Sequence, residues 1–189
     1  MIVNWEDLET YYGSDISIHR DHLNRAHQAT YAMLACKWSS ADPARFANQS
    51  NEHAEGRLLQ STVWREDVPS ALDSRTDLDK QPMIVTLAIN RSPCGHCAYM
   101  LAKALQELQF NFARRFENSV FLLASLGYYH SNKYLSPEHE QRHPESNQPL
   151  WVTTQRGLES LKNAGWHLAA LSFDGKLTRR GGEFARFIG

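Results

Sequence analysis

The run Pro82-Met83-Ile84-Val85-Thr86-Leu87-Ala88-Ile89-Asn90 is almost continuously apolar. A strand with one wet face alternates, whereas an unbroken apolar run reads as a strand buried on both faces, with helices above and below it. It leads straight into Ser92-Pro93-Cys94-Gly95-His96-Cys97. Proline suits a first helical turn, because the N–H it lacks would be unpaired there anyway. The helix is predicted to run to about Phe116, with Tyr99, Leu101, Ala102, Leu105, Leu108, Phe112 and Phe116 as one apolar stripe. Ser119 to Leu126 is the next buried strand. Strand, helix, strand with buried strands implies a right-handed crossover and a parallel portion of sheet.

The rest of the chain fits around that unit. Residues 4–29 are polar, with Trp5, Leu8, Tyr11, Tyr12, Ile16, Ile18 and Leu23 at loose helical intervals, and read as one or two short helices. His19, His22 and His27 fall there without cysteines or a carboxylate pattern, and read as surface histidines. Ala29 to Trp38 reads as a strand, paired through Ala41-Asp42-Pro43 with a shorter one at Ala44 to Asn48. Cys36 inside it reads as a small buried side chain without chemistry. Glu52 to Trp64 is predicted as a helix with Asn51 as its N-cap, and Asp67 to Gln81 as an exposed loop. Gly127 to Tyr134 is a loop of aromatic, amide and basic side chains, and Leu135 to Leu150 is polar and proline-bearing. Gly157 to Asn163 is a short amphipathic helix stopped by Gly165, Trp166 to Phe173 a last strand, and Gly181-Gly182 introduces a short C-terminal helix. The expectation is one α/β domain over 1–189: an N-terminal helical extension (1–28), a core (29–175) and a basic C-terminal tail (176–189). Its sheet is mixed and five-stranded, with an antiparallel first hairpin and parallel later strands.

Bulk properties exclude several classes. A chain that is 42% hydrophobic and 22% charged is not disordered. No run of about eighteen apolar residues exists to span a membrane, and the first residues, Met1 to Asp7, lack the form of a secretory signal. A net charge of -1 argues against a broadly basic nucleic-acid binder. The charge is uneven, however: residues 1–80 hold eight basic and thirteen acidic side chains, while 156–189 hold six basic against three acidic. That basic end suits an anionic substrate or simply a solvated tail. With three cysteines, two of them in the C-x-x-C pair, there is no disulfide framework and a reducing compartment fits.

Cys94 and Cys97, three apart on one face of a helix start, have a partner upstream in His53-Ala54-Glu55, at another helix start. The positive end of the helix dipole favours thiolates at Cys94 and Cys97. Three protein ligands leave the fourth tetrahedral position of a zinc ion open for water, as in catalytic sites. Glu55, two residues past the histidine, is placed to move protons. His96 reads as a rim or surface residue.

His-x-Glu followed by Pro-Cys-x-x-Cys is the signature of zinc-dependent nucleobase deaminases. The chain resembles the cytidine deaminase superfamily over roughly residues 29–175, which implies a three-layer α-β-α fold. Carried over by position, the resemblance implies His53, Cys94 and Cys97 as Zn2+ ligands and Glu55 as the proton shuttle. Ser92 would offer its backbone carbonyl to the exocyclic amine, and Asn48 matches an asparagine that contacts the sugar. Ala54 and Pro93 are expected substrate contacts, and Tyr128, Tyr129 and His130, with Lys133, would meet a flipped or flanking base. A histidine as first ligand and a helix between the last two strands are similar to the editing cytosine deaminases and tRNA adenosine deaminases. The Ser-Pro-Cys-Gly-His-Cys context also resembles deaminase domains of bacterial polymorphic toxins. The implied reaction is deamination of cytosine to uracil in nucleic acid, single-stranded DNA first. The implied place of action is the cytoplasm, of the producing cell or of a cell receiving a toxin, with a cognate immunity protein as partner.

Other readings bear on the substrate first. Duplex DNA, RNA, free cytidine or another nucleoside or nucleotide could be the substrate, and adenine could stand in place of cytosine. His139-Glu140-Gln141-Arg142-His143 fits the zinc-peptidase pattern H-E-x-x-H, but between Pro137 and Pro144, with no apolar flank, it reads as accidental. A structural zinc in a non-enzymatic module would leave Glu55 without a purpose.

Overall fold

The computed structural model describes residues 1–13, 16, 20–24, 29–37, 42–50, 52–76, 81–128 and 147–173. Among them a single six-stranded sheet runs β1 (Ile2–Asn4), β6 (His167–Ser172), β5 (Ser119–Ser125), β4 (Met83–Ile89), β2 (Tyr31–Cys36) and β3 (Ala44–Ala47) across its width. β2 is antiparallel to both β3 and β4, while β4, β5, β6 and β1 run parallel. The sheet is mixed as expected, but it has six strands and not five. β1 is three residues long, too short for any period to announce it. It pairs Val3 with Leu171, so residues 2–4 join the sheet beside β6.

The buried strands sort their side chains strictly by parity. Met83, Val85, Leu87 and Ile89 of β4 and Phe121 and Leu123 of β5 enter one core. Ala88, Leu122 and Ala124 enter the other. The first core is covered by α3 (Ala54–Gln60), α4 (Val68–Asp73), α5 (Gly95–Asn111) and α7 (Leu150–Asn163). The second is covered by α1 (Trp5–Tyr12), Ile16 and Leu23 of α2 (Arg20–Asn24). That makes three layers. Asn4 starts α1 with a reciprocal capping box: its Oδ1 accepts from the Asp7 N–H at 2.8 Å, and its N–H donates to Asp7 Oδ2 at 2.9 Å.

Several elements differ from the sequence reading. The helix expected to reach Trp64 stops at Gln60. A π-helical turn (Val63–Asp67) leads into α4, which occupies the start of the expected loop and buries Val68, Ala71 and Leu72 at i, i+3 and i+4. The polar residues around this triplet hid it. The helix from Gly95 breaks at Phe112 (φ −125°, ψ 32°) before α6 (Ala113–Phe116). Tyr99, assigned to its apolar stripe, is 63% exposed. α7 starts seven residues before Gly157, directly after Pro149, and buries Thr154, Gly157, Leu158 and Leu161. Half-buried Cys36 packs at the edge of the first core. Half-buried His22 meets the Phe46 carbonyl at 3.2 Å and the Tyr31 ring edge-on, so it is not a plain surface histidine. Trp38, His19, His27 and the C-terminal helix lie outside the described residues. Among the described residues no helix is long and apolar enough to cross a membrane.

Gly157 is mid-helix for a steric reason. A Cβ there would stand 2.8 Å from Ala98 Cβ and 3.0 Å from Gly95 Cα, and one on Gly95 would stand 2.7 Å from the Thr153 carbonyl oxygen. α5 and α7 therefore touch backbone to backbone. Further along, Trp166 Nε1 donates to the Leu101 carbonyl at 3.1 Å and Gln109 Nε2 to that of Ala164 at 2.9 Å. Gly157→Ala would add about 1 kcal/mol of helix propensity. The overlap with Ala98 outweighs this, so we expect a net loss of roughly 1–2 kcal/mol in urea unfolding. An unchanged or raised midpoint would contradict this packing.

Candidate metal centre

Both helix starts that carry the site hang from one end of β2. Ala47, the last residue of β3, pairs with Tyr31, and Ile89, the last of β4, pairs with Ala32. Buried Asn90 locks the second junction: Oδ1 accepts from the Tyr31 N–H at 2.8 Å, Nδ2 donates to the Ala29 carbonyl at 3.0 Å, and its own N–H donates to the Tyr31 carbonyl at 3.1 Å. The Ser92 N–H donates to the Gly127 carbonyl at 2.7 Å, and Ser125 Oγ donates to the same oxygen at 2.7 Å. This clamp holds Ser92 and Pro93, both buried, against the end of β5. Sequence reasoning gave Asn90 and Ser125 no role. The one signal was a polar residue closing each of two apolar strands.

From β3 the chain turns through Gln49 to Glu52, with reciprocal backbone bonds of 3.0 and 2.9 Å and Ser50 at φ +51°. α3 then begins with His53, not Asn51, at the N-cap, and the His53 side chain makes no cap bond. Asn48 Oδ1 does that work instead, accepting from the Ala54 N–H at 2.9 Å. With its ring freed from capping, His53 presents Nδ1 to Cys97 Sγ at 3.2 Å and to Cys94 Sγ at 3.6 Å. Cys94 is the N-cap of α5, its sulfur accepting from the Cys97 N–H at 3.5 Å.

The ligand atoms of His53, Cys94 and Cys97 lie within 4.8 Å of one another, the only such group of three or more among the described residues. A tetrahedral zinc with Zn–S near 2.3 Å and Zn–N near 2.0 Å would set N···S edges at about 3.5 Å. The observed 3.2 and 3.6 Å fit. This group could hold a metal ion.

The electrostatics point the same way. The Cys97 thiol, donating to the Cys94 sulfur, brings Cys94 down to about 5. Giving up that hydrogen bond, together with burial, raises Cys97 well above an ordinary thiol. A divalent cation is what would let both sulfurs ionise together. Glu55 follows His53 in the first turn of α3 and is 2% exposed. Burial pushes its carboxyl up to about 7, and Oε2 is buried without a hydrogen-bond partner. An orphaned carboxylate oxygen beside three ligands is costly unless something polar occupies the space it faces.

The structure thus brings His53, Ala54, Glu55, Cys94 and Cys97 together, with Asn48, Ser92 and Pro93 on the flanking turns. Tyr128 is 8% exposed, its hydroxyl donating to the Trp151 carbonyl at 3.1 Å. It anchors α7, and burial pushes its phenol up to about 12. His96 is exposed as expected. Tyr129, His130, Lys133, the H-E-x-x-H stretch and the basic residues from Lys176 on lie outside the described residues.

No protein-family profile matches the chain, and neither does any curated protein. Among solved structures it is similar to the dCMP deaminase of the cyanophage S-TIM5 in complex with dCMP and dUMP. That likeness has 12% identity and a TM-score of 0.38 over 89% of this chain and 98% of the other. The apo form of the same enzyme gives 12% identity and a TM-score of 0.31 over 75% and 79%.

Because burial raises Glu55 in the fold, the metal-free native state resists its ionisation while the unfolded chain does not. This cost is absent below the ordinary value of 4.5, grows as pH rises towards 7, and is complete above it. In metal-free protein, Glu55→Gln should therefore be the more stable near pH 8. The gain there should reach up to roughly 3 kcal/mol, since each tenfold change in proton affinity is worth about 1.4 kcal/mol. It should vanish near pH 4. Denaturant unfolding at both values checks it, and a pH-independent difference would count against a buried, raised carboxyl.

Proposed function

We propose that the chain is a zinc-dependent hydrolytic deaminase that converts cytosine to uracil in nucleic acid, with single-stranded DNA as the first substrate. One observation carries this reading: the partnerless Glu55 Oε2, buried beside a three-ligand His–Cys–Cys group. A structural zinc needs no such carboxylate and usually takes four protein ligands. When bound, zinc supplies Lewis-acid chemistry and lowers the pKa of water enough for attack near neutral pH.

The chain's own residues do the rest. Glu55, raised to about 7 by burial, exchanges a proton at Oε2 with little cost at neutral pH. It takes one from the attacking water and delivers it to the base, whose C4–N bond breaks to release ammonia. The Asn48 cap and the Asn90 lock hold the two helix starts at fixed separation, so the carboxylate and the ligand set share one frame. The clamp on Gly127 fixes the backbone of Ser92, whose carbonyl is assigned to the exocyclic amine.

Single-stranded DNA is placed first because an unpaired base is reached without breaking a duplex, and Tyr129, His130 and Lys133 offer stacking and phosphate contacts. A second reading, free cytidine or its nucleotide, is favoured by Tyr128, whose buried ring cannot stack on a flanking base. A toxin or mutator role, with an immunity protein covering the site, is the wider proposal. It is supported by the tight His-Ala-Glu and Ser-Pro-Cys-Gly-His-Cys contexts.

Zinc-loaded protein offered single-stranded DNA, duplex DNA, RNA and free cytidine in parallel should form uracil in the first. Glu55→Ala should retain zinc yet lose at least about a hundredfold in turnover, while Cys94→Ser should lose zinc. Product from free cytidine alone selects the second reading. A wild-type chain that binds no zinc, or a Glu55→Ala variant of undiminished activity, overturns both.

A further inference from the structure

We propose that Cys94 and Cys97 are also a dithiol pair that exchanges with small-molecule disulfides, closing to a Cys94–Cys97 disulfide that cannot hold the metal. Cys94-Gly95-His96-Cys97 opens a seventeen-residue helix directly after β4, a parallel strand of the sheet. A C-x-x-C at that place in a strand–helix unit is where thiol–disulfide chemistry is commonly built. The two sulfurs are neighbours in the ligand cluster, and the Cys94 sulfur already sits over the Cys97 N–H at 3.5 Å. They differ in access: Cys94 is half-buried and Cys97 is 2% exposed, the arrangement of an attacking and a resolving thiol. No third thiol competes. Cys36 pairs with Val85, at the opposite end of β4 from the one that leads to Cys94.

The exchange balances with a small-molecule disulfide such as oxidised glutathione as the oxidant. The Cys94 sulfur attacks one glutathione sulfur, the glutathione S–S bond breaks, and one reduced glutathione leaves. The Cys97 sulfur then attacks Cys94 in the mixed disulfide, the Cys94–glutathione bond breaks, and a second reduced glutathione leaves. The protein loses two electrons and two protons, and glutathione gains both. Only thiolate sulfur ligates zinc, so the closed form gives up two of the three ligands. The release of the ion rests on the metal reading above; the exchange itself does not.

The test is intact-mass analysis of the full chain, metal-free and zinc-loaded, after exposure to oxidised glutathione, with a chromophoric chelator reporting zinc. Zinc binding by the reduced chain is measured first. The metal-free chain should lose one pair of hydrogens and no longer take up zinc until a dithiol reductant restores both. The loaded chain should release zinc as its mass falls. Cys97→Ser should stop with one glutathione attached, and Cys94→Ser should react at least about tenfold more slowly. A wild-type chain that stays reduced, or carries glutathione on both cysteines, overturns the proposal whatever the variants do. A reduced chain that binds no zinc but still loses the hydrogens upholds the pair and overturns the metal reading instead.

Discussion

The first two residues of β2 carry the arrangement of the whole site. Tyr31 pairs with the last residue of β3 and Ala32 with the last residue of β4, so the chain leaves both neighbours at the same end of the same strand. Six residues beyond Ala47 lies His53, and five beyond Ile89 lies Cys94. Two helix starts some forty residues apart in sequence become neighbours because both strands stop there. A one-residue slip in either pairing would turn that strand's apolar set out of its core. The parity of Met83, Val85, Leu87 and Ile89 against Ala88 holds the register on the β4 side, and the Asn90 bonds fasten its end.

Given that frame, the local cost is concentrated in a small volume. Two sulfurs and a carboxylate are brought close together, two of the three all but excluded from water. Burial raises Glu55, the hydrogen bond given to Cys94 together with burial raises Cys97, and accepting that bond lowers Cys94. The backbone around them is the opposite: Ser92, Asn90 and Ala54 each have named partners at hydrogen-bond distance. Rigid, satisfied backbone around frustrated side chains is the pattern expected where stability is given up for chemistry.

Much of this was legible in residue order. The buried strands and the antiparallel hairpin each carry a pattern of their own, and the spacing of His53, Cys94 and Cys97 anticipates the group they form. What was missed had no such signal. β1 is shorter than one period of alternation, and its partner lies some 170 residues away. α4 buries a single apolar triplet among charges. Gly157 looked like a helix boundary because glycine is poor inside helices, and only its contact with Ala98 and Gly95 explains its place there. Tyr128, expected to meet a base, is instead held by the Trp151 carbonyl, which belongs to a helix that starts seven residues before the glycine expected to open it. Errors in one element propagated to the residue that touches it.

The helix layers divide the work unequally. His53, Glu55, Cys94 and Cys97 all sit at the starts of α3 and α5, in the layer that also holds α7. Among the described residues the opposite layer adds nothing to that His–Cys–Cys group, but it is not dispensable packing. Trp5 and Leu8 of α1 are buried against Leu122, Ala124 and Leu171, and Tyr12 reaches β4, its hydroxyl 2.6 Å from Thr86 Oγ1 and donating to the Ile84 carbonyl at 3.1 Å. Ile84 and Thr86 lie in the strand whose end delivers Cys94. The N-terminal segment thus steadies β4 from behind, and its pairing through β1 extends the parallel sheet by one strand. The sheet that positions the candidate metal centre therefore includes Ile2 to Asn4, laid beside β6.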